Sequence, residues 1–243
     1  MLAVGLWLGV VGACDLLRAA RDTTTALRRA LICGIGVCLL VLLGLVAGME
    51  GTEWPGLGLG WLVTFLVWVL ASSAALQRGS VVHRALAFVG LFGGLVVTVV
   101  GGGVLDGGDQ MPSPMGGSLL AELSPDRLVL VGGVCLFQLS SANVVVRLIL
   151  DAVGVPATTN EKRLKGGRLL GPMERLFILG LGLAGQLTAA AVVVAAKGLL
   201  RFPELQRGVE AEGPSDVTEY FLIGSFASWL IALGGLALLW GSA

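Results

Sequence analysis

Charge is scarce in this sequence. Only 13% of its 243 residues are Asp, Glu, Lys or Arg, against roughly a quarter in a soluble domain. A chain so poor in charge cannot cover a water-facing surface, which excludes a soluble globular fold of this length. Histidine occurs once, at His83 in "QRGSVVHR", and reads as a solvated loop residue. With one His, no HExxH and no paired acids at membrane depth, no metal centre, cofactor or catalytic constellation is expected. The four cysteines, Cys14, Cys33, Cys38 and Cys135, fall in apolar stretches, and Cys33 and Cys38 are not a CxxC pair. They read as small apolar side chains. A GxxxxGK[ST] loop is absent, so nucleotide hydrolysis is not suggested. The basic residues form no long run and have no stacking aromatics among them, which excludes nucleic acid as a partner.

What the sequence has is apolar length. Hydrophobic residues make up 56% of the chain and the mean hydropathy is +0.91. The hydrophobicity falls in seven runs, near residues 2–17, 31–48, 57–76, 85–105, 128–150, 172–197 and 220–240. Each approaches the roughly 20 residues that a bilayer core requires. Continuous Leu, Val, Ala and Gly, without strand-like alternation, excludes a β-barrel. The 38 glycines do not argue against helices, because lipid offers the backbone no other partner and small residues let helices approach closely. The expected fold is an all-α, polytopic bundle of about seven helices forming a single transmembrane domain over residues 1–243.

Lys and Arg collect in the cytoplasmic loops of such proteins. Arg127, Lys197, Arg201 and Arg207 fall on one side of the predicted spans, and the other 12 of the 16 basic residues on the opposite side. The N-terminus is therefore expected outside and the C-terminus inside, in a bacterial plasma (inner) membrane. "VGAC" ending at Cys14 resembles a lipoprotein cleavage box, but no basic residue precedes the run, so helix 1 is expected to be retained.

The segment "EKRLKGGRLLGPMERL", residues 161–176, interrupts the aliphatic pattern. Pro172 suits the first position of a helix, so the sixth span is expected to start there. The dipole of that helix, with Lys165, Gly167, Arg168, Gly171, Glu174 and Arg175, suits a phosphate or the headgroup of an anionic lipid. The alternative is an anchor that holds the loop on an anionic leaflet. Glu174 suits the positive end of the helix; Arg175 either snorkels or pairs with Asp151.

Polar side chains in the spans are costly without partners. Gln138, Asn143 and Arg147 on helix 5, Gln186 on helix 6 and Ser228 on helix 7 are the candidate lining of a polar seam. Gly224, Ser228 and Ala232 make a row of small residues suited to helix packing. Asp15 is a candidate ion-pair partner for Arg147. Trp7, Trp54, Trp61, Trp229 and Trp240 lie toward the run ends and read as an interfacial belt.

From about Asn143 onward, "GRLLGPMER" at Gly167, "GQ" at Gly185, "AAKGLLRF" at Ala195 and "EYFLIGS" at Glu219 occur in order. This series resembles a family of uncharacterised bacterial multi-pass membrane proteins. The resemblance covers some two-fifths of the chain and implies no activity; the N-terminal helices do not match. It implies that Gly167, Arg168, Gly171, Glu174, Arg175, Gln186, Lys197, Arg201, Glu219, Tyr220 and Ser225 merit testing.

Three functions fit these observations. The first is a conduit or binding protein for a small polar or anionic solute. The second is a non-catalytic subunit or scaffold of a homo-oligomer or membrane complex. The third is a lipid-binding or lipid-modifying protein. The lipid bilayer is a partner in all of them.

Overall fold

The structure is a computed structural model that describes residues 1–19, 25–46, 54–101, 124–155, 167–209 and 216–241. Among them are nine helices and no strand, in keeping with the all-α fold class. They are α1 Leu2–Ala19, α2 Ala26–Val46, α3 Trp54–Arg78, α4 Val81–Gly101, α5 Pro125–Leu139, α6 Ser141–Ala152, α7 Gly167–Leu183, α8 Leu187–Val209 and α9 Asp216–Trp240. Four stretches are long and apolar enough to cross a membrane: Ala26–Leu45, Gly56–Arg78, Val81–Gly101 and Thr218–Trp240. The α5–α6 pair makes a fifth if it is counted as one broken span.

Among the described residues the expected seven spans are therefore not all seen, and the backbone explains two of the departures. The run at 128–150 is interrupted at Ser140. There the Ser140 hydroxyl reaches the Leu136 carbonyl at 2.8 Å and the Gly12 carbonyl at 2.6 Å, a competition for backbone acceptors that bends and breaks helices. The run at 172–197 is interrupted between Leu183 and Leu187. Gly185 adopts φ +73°, the Gln186 amide donates to the Leu181 carbonyl, and the Gly185 amide donates to that of Gly182. This is a Schellman cap, which ends a helix wherever a glycine can take the left-handed conformation.

Helix starts also differ from the apolar counts. The helix expected to begin at Pro172 begins at Gly167 and carries Pro172 inside it. In that opening turn the proline removes one hydrogen bond, the one to the Arg168 carbonyl. α2 begins well before residue 31, because Thr25 accepts from the amides of Arg28 and Arg29 and caps the helix. His83 lies in the first turn of α4 and is half-buried, not in a solvated loop.

The described helices fall into two compact units, residues 1–141 and 142–241. In the first unit α1 packs against α5, α2 and α4, and α3 packs against α2 and α4. α1 runs parallel to α5, with Gly5, Gly9 and Gly12 against Leu130, Gly133 and Leu136. A Cβ on Gly133 would lie 2.1 Å from the Gly5 carbonyl oxygen, so the two backbones cross at a distance that only glycine permits. Trp7 and Trp61, expected in an interfacial belt, are instead buried, at 0% and 1% exposure. Their rings stack at 6.5 Å, the Trp61 indole donates to Thr98 Oγ1, and Gly94 leaves the space that the Trp7 ring fills.

In the second unit α7 packs against α9 and α8. Leu150 and Val155 form a buried cluster with Val146, Tyr220 and Ile223, and Gly182 makes room for Leu236. The small row on α9 is partly interior, with Ser228 and Ala232 buried. α6 ends as α7 does, on a left-handed glycine: Gly154 has φ +81°, and the Val155 amide donates to the Leu150 carbonyl.

Candidate functional site

Each unit holds one buried arginine centre. In the first unit, Asp15 and Arg18 stand three residues apart on one face of α1, so a single helix presents both charges. Arg18 Nη2 lies 2.7 Å from Asp15 Oδ1. From α3, Trp68 Nε1 donates to Asp15 Oδ2 at 3.0 Å, and Arg18 Nη1 donates to Ser72 Oγ at 2.9 Å and Ser73 Oγ at 3.0 Å. The guanidinium also sits 5.7 Å from the Trp68 ring centre, within cation–π range. Ser141, fully buried, brings its hydroxyl to the surroundings of the carboxylate. Ser72 and Ser73 turn their own hydroxyls back onto the α3 carbonyls of Trp68 and Val69, which aims their lone pairs at Arg18. The result is a centre in which each charge has an opposite charge and at least one further hydrogen bond.

In the second unit, Arg175 projects from α7 and is 1% exposed. Its Nη1 donates to Ser228 Oγ on α9 at 2.9 Å, and its Nη2 donates to Asn143 Oδ1 on α6 at 2.6 Å. Three helices of one unit thus converge on one guanidinium, and both of these acceptors are uncharged. Gly171, one turn earlier on α7, faces the same centre: a Cβ there would lie 3.5 Å from Arg175 Nη1 and 3.8 Å from Asn143 Oδ1. A planar guanidinium fixed in this way is a cation with set direction, suited to carboxylate or phosphate oxygens.

Of the sequence-derived candidates, Asn143, Gly171, Arg175 and Ser228 are brought together. Arg175 is buried rather than snorkelling. Gln186 is not part of the group; it is exposed in the turn between α7 and α8. Gln138 is buried on α5, in the first unit. Arg147 lies half-buried on α6, and Glu174 half-buried on α7. Gly167 and Arg168 open α7, with the Arg168 side chain outside the described residues, as is all of Lys165. The ion-pair partner seen for Asp15 is Arg18, in its own helix; Arg147, the partner expected from the sequence, belongs to the second unit. Among the described residues no three His, Cys, Asp or Glu side chains converge as metal ligands would.

Sequence reasoning passed over Trp68, Ser72 and Ser73. Their signal was available in "WVLASSA": the polar atoms of an apolar helix, at spacings of four and five, share one side of it. No protein-family model matches the chain, and no curated protein or solved structure matches it either.

Proposed function

We propose that the protein is a polytopic membrane protein that binds, and conducts or carries, a small anionic solute at the Arg175–Asn143–Ser228 centre. The observation that carries this reading is a buried guanidinium held by an amide oxygen and a hydroxyl on separate helices. An ionisable group inside a membrane-spanning bundle is a functional candidate by its cost alone. The surrounding hydrogen bonds hold Arg175 in one pose, so a ligand would not have to order it. Arg147, on α6 of the same unit, takes a supporting rather than a central place in this proposal, and Gln138 and Gln186 take none. The basic segment 161–175 would gather anions at the inner mouth, with the N-terminus outside and the C-terminus inside a bacterial inner membrane. The resemblance to uncharacterised bacterial multi-pass proteins through "GRLLGPMER" and "EYFLIGS" belongs to the same reading.

Reconstitution of the full chain in vesicles tests it, with inorganic phosphate and acetate as anionic probes and glycerol as a neutral control. The expected outcome is anion flux or binding above that of empty vesicles, lost in Arg175→Gln and retained in Gln186→Leu. Equal values for wild type and Arg175→Gln, or none in either, would remove the proposal. A melting curve of the variant separates loss of site from loss of fold.

A further inference from the structure

The first unit carries its arginines at one end. α1 and α3 finish where α2 and α4 begin, as the contact of Arg18 with Ser72 and Ser73 requires. Arg18 is neutralised there by Asp15, while Arg28 and Arg29 open α2, Arg78 closes α3 and Arg84 opens α4. Among the described residues of α1 to α4, Asp15 is the sole carboxylate. Among the described residues, the other end of the unit carries Asp126 and Arg127 at the start of α5 and no comparable cluster of arginines.

Two of these guanidiniums are held in place by the backbone. Arg28 donates to the Leu17 carbonyl, at the C-terminal end of α1, where a cation suits the helix dipole. Arg84 donates to the Gly79 carbonyl, in a turn that Gly79 closes with φ +63°. Arg29 and Arg78 are not held in this way, and Arg78 is exposed. Beneath the cations, exposed apolar stripes run along the same helices: Leu27, Leu31 and Ile35 on α2, and Val82, Leu86 and Val89 on α4. Their spacings of three and four residues keep each stripe on one helix face.

We propose that this end of the first unit binds anionic phospholipid. The phosphate-bearing headgroup pairs with Arg28, Arg29, Arg78 and Arg84, and the acyl chains lie along the α2 and α4 stripes. The stripes favour a lipid over free phosphate, because free phosphate would use the guanidiniums and leave the exposed apolar faces idle. The site is independent of the Arg175 centre and stands or falls apart from it.

Native mass spectrometry of the detergent-solubilised full chain tests this, with phosphatidylglycerol and phosphatidylcholine of identical acyl chains. The wild type should retain phosphatidylglycerol in preference. Arg29→Gln with Arg78→Gln, which leaves the Arg28 and Arg84 backbone bonds in place, should lower that retention by roughly tenfold or more, with phosphatidylcholine retention unchanged. Arg78→Gln alone, at an exposed position, should lower it about fivefold and covers the case in which the double variant is unstable. Arg127→Gln, at the other end, should change nothing. Equal retention of the two lipids by the wild type overturns the proposal, as does an equal loss from Arg127→Gln. Displacement of phosphatidylglycerol by excess inorganic phosphate would overturn the assignment to lipid.

Discussion

Arg18 and Arg175 are both buried, one in each unit, and they are stabilised by different means. Arg18 meets a carboxylate at 2.7 Å, two hydroxyls and an aromatic face; Arg175 is hydrogen-bonded to an amide oxygen and a hydroxyl. A cation matched by a carboxylate offers a further anion little Coulombic gain. Arg175 is oriented by neutral oxygens on α6 and α9, and Glu174, the preceding residue on α7, attracts it electrostatically. The first centre therefore reads as a structural staple between α1 and α3, and the second, whose hydrogen-bond acceptors come from α6 and α9, is the one proposed to bind an anion. The difference also lies in helix use: the staple takes both charges from one helix, whereas the second centre draws one residue from each of three.

The largest effect expected from this contrast comes from splitting the staple. Asp15→Asn leaves the Arg18 guanidinium buried without its counter-charge, a change that costs about 3–5 kcal/mol. Unfolding in mixed micelles should show it as a large drop in the midpoint. Asp15→Leu with Arg18→Met, which removes both charges at similar volume, should recover most of the loss. If the double variant is as unstable as the single one, the centre is more than a staple.

Next in size is the α1–α5 crossing. Gly133→Ala places a methyl group 2.1 Å from the Gly5 carbonyl oxygen, and no rotamer relieves a clash with backbone. The helices must separate, at a cost of about 1–3 kcal/mol, read from the same unfolding curves. A wild-type midpoint would mean that α1 and α5 do not cross through these glycines.

Arg175→Met should cost about 1–3 kcal/mol, because it strands the Asn143 and Ser228 oxygens to which the guanidinium donates. Its distinguishing effect is on ligand: loss of phosphate or acetate binding, where the double substitution of Asp15 and Arg18 leaves binding intact. If the staple variant abolished anion binding while Arg175→Met preserved it, the roles of the two centres would be exchanged.

These centres were unequally legible in the sequence, for physical reasons. Helices follow from apolar length, because lipid leaves the backbone no alternative. Asn143, Arg175 and Ser228 stood out as polar residues in or beside apolar runs, and each proved part of one centre. Asp15 stood out as well, paired with Arg147, but which residue neutralises which depends on helix neighbours that no spacing specifies. Trp68 was lost among apolar neighbours because an indole counts as hydrophobic while its N–H serves as the donor to Asp15. The breaks at Ser140 and Gly185 escaped because hydropathy measures length and not backbone conformation; a single left-handed glycine ends α7 without changing the hydropathy of the run. Gly5, Gly9 and Gly12 were spaced for close packing, yet the partner helix had to be known before the spacing had meaning.

The smallest effect is expected in the opening turn of α7. A Cβ on Gly171 would stand 3.5 Å from Arg175 Nη1, an ordinary contact, and Gly171 lies inside a helix where alanine is favoured by about 1 kcal/mol. Gly171→Ala should therefore leave stability unchanged or raise it by up to about 1 kcal/mol, in contrast to Gly133→Ala. The same methyl group would narrow the space beside the guanidinium, so anion affinity should fall even as the midpoint holds. A stable protein with unchanged affinity would place the anion on another side of Arg175. A strongly destabilised one would mean that Gly171 needs the conformational freedom of a loop, and that the helix starts at Pro172 after all.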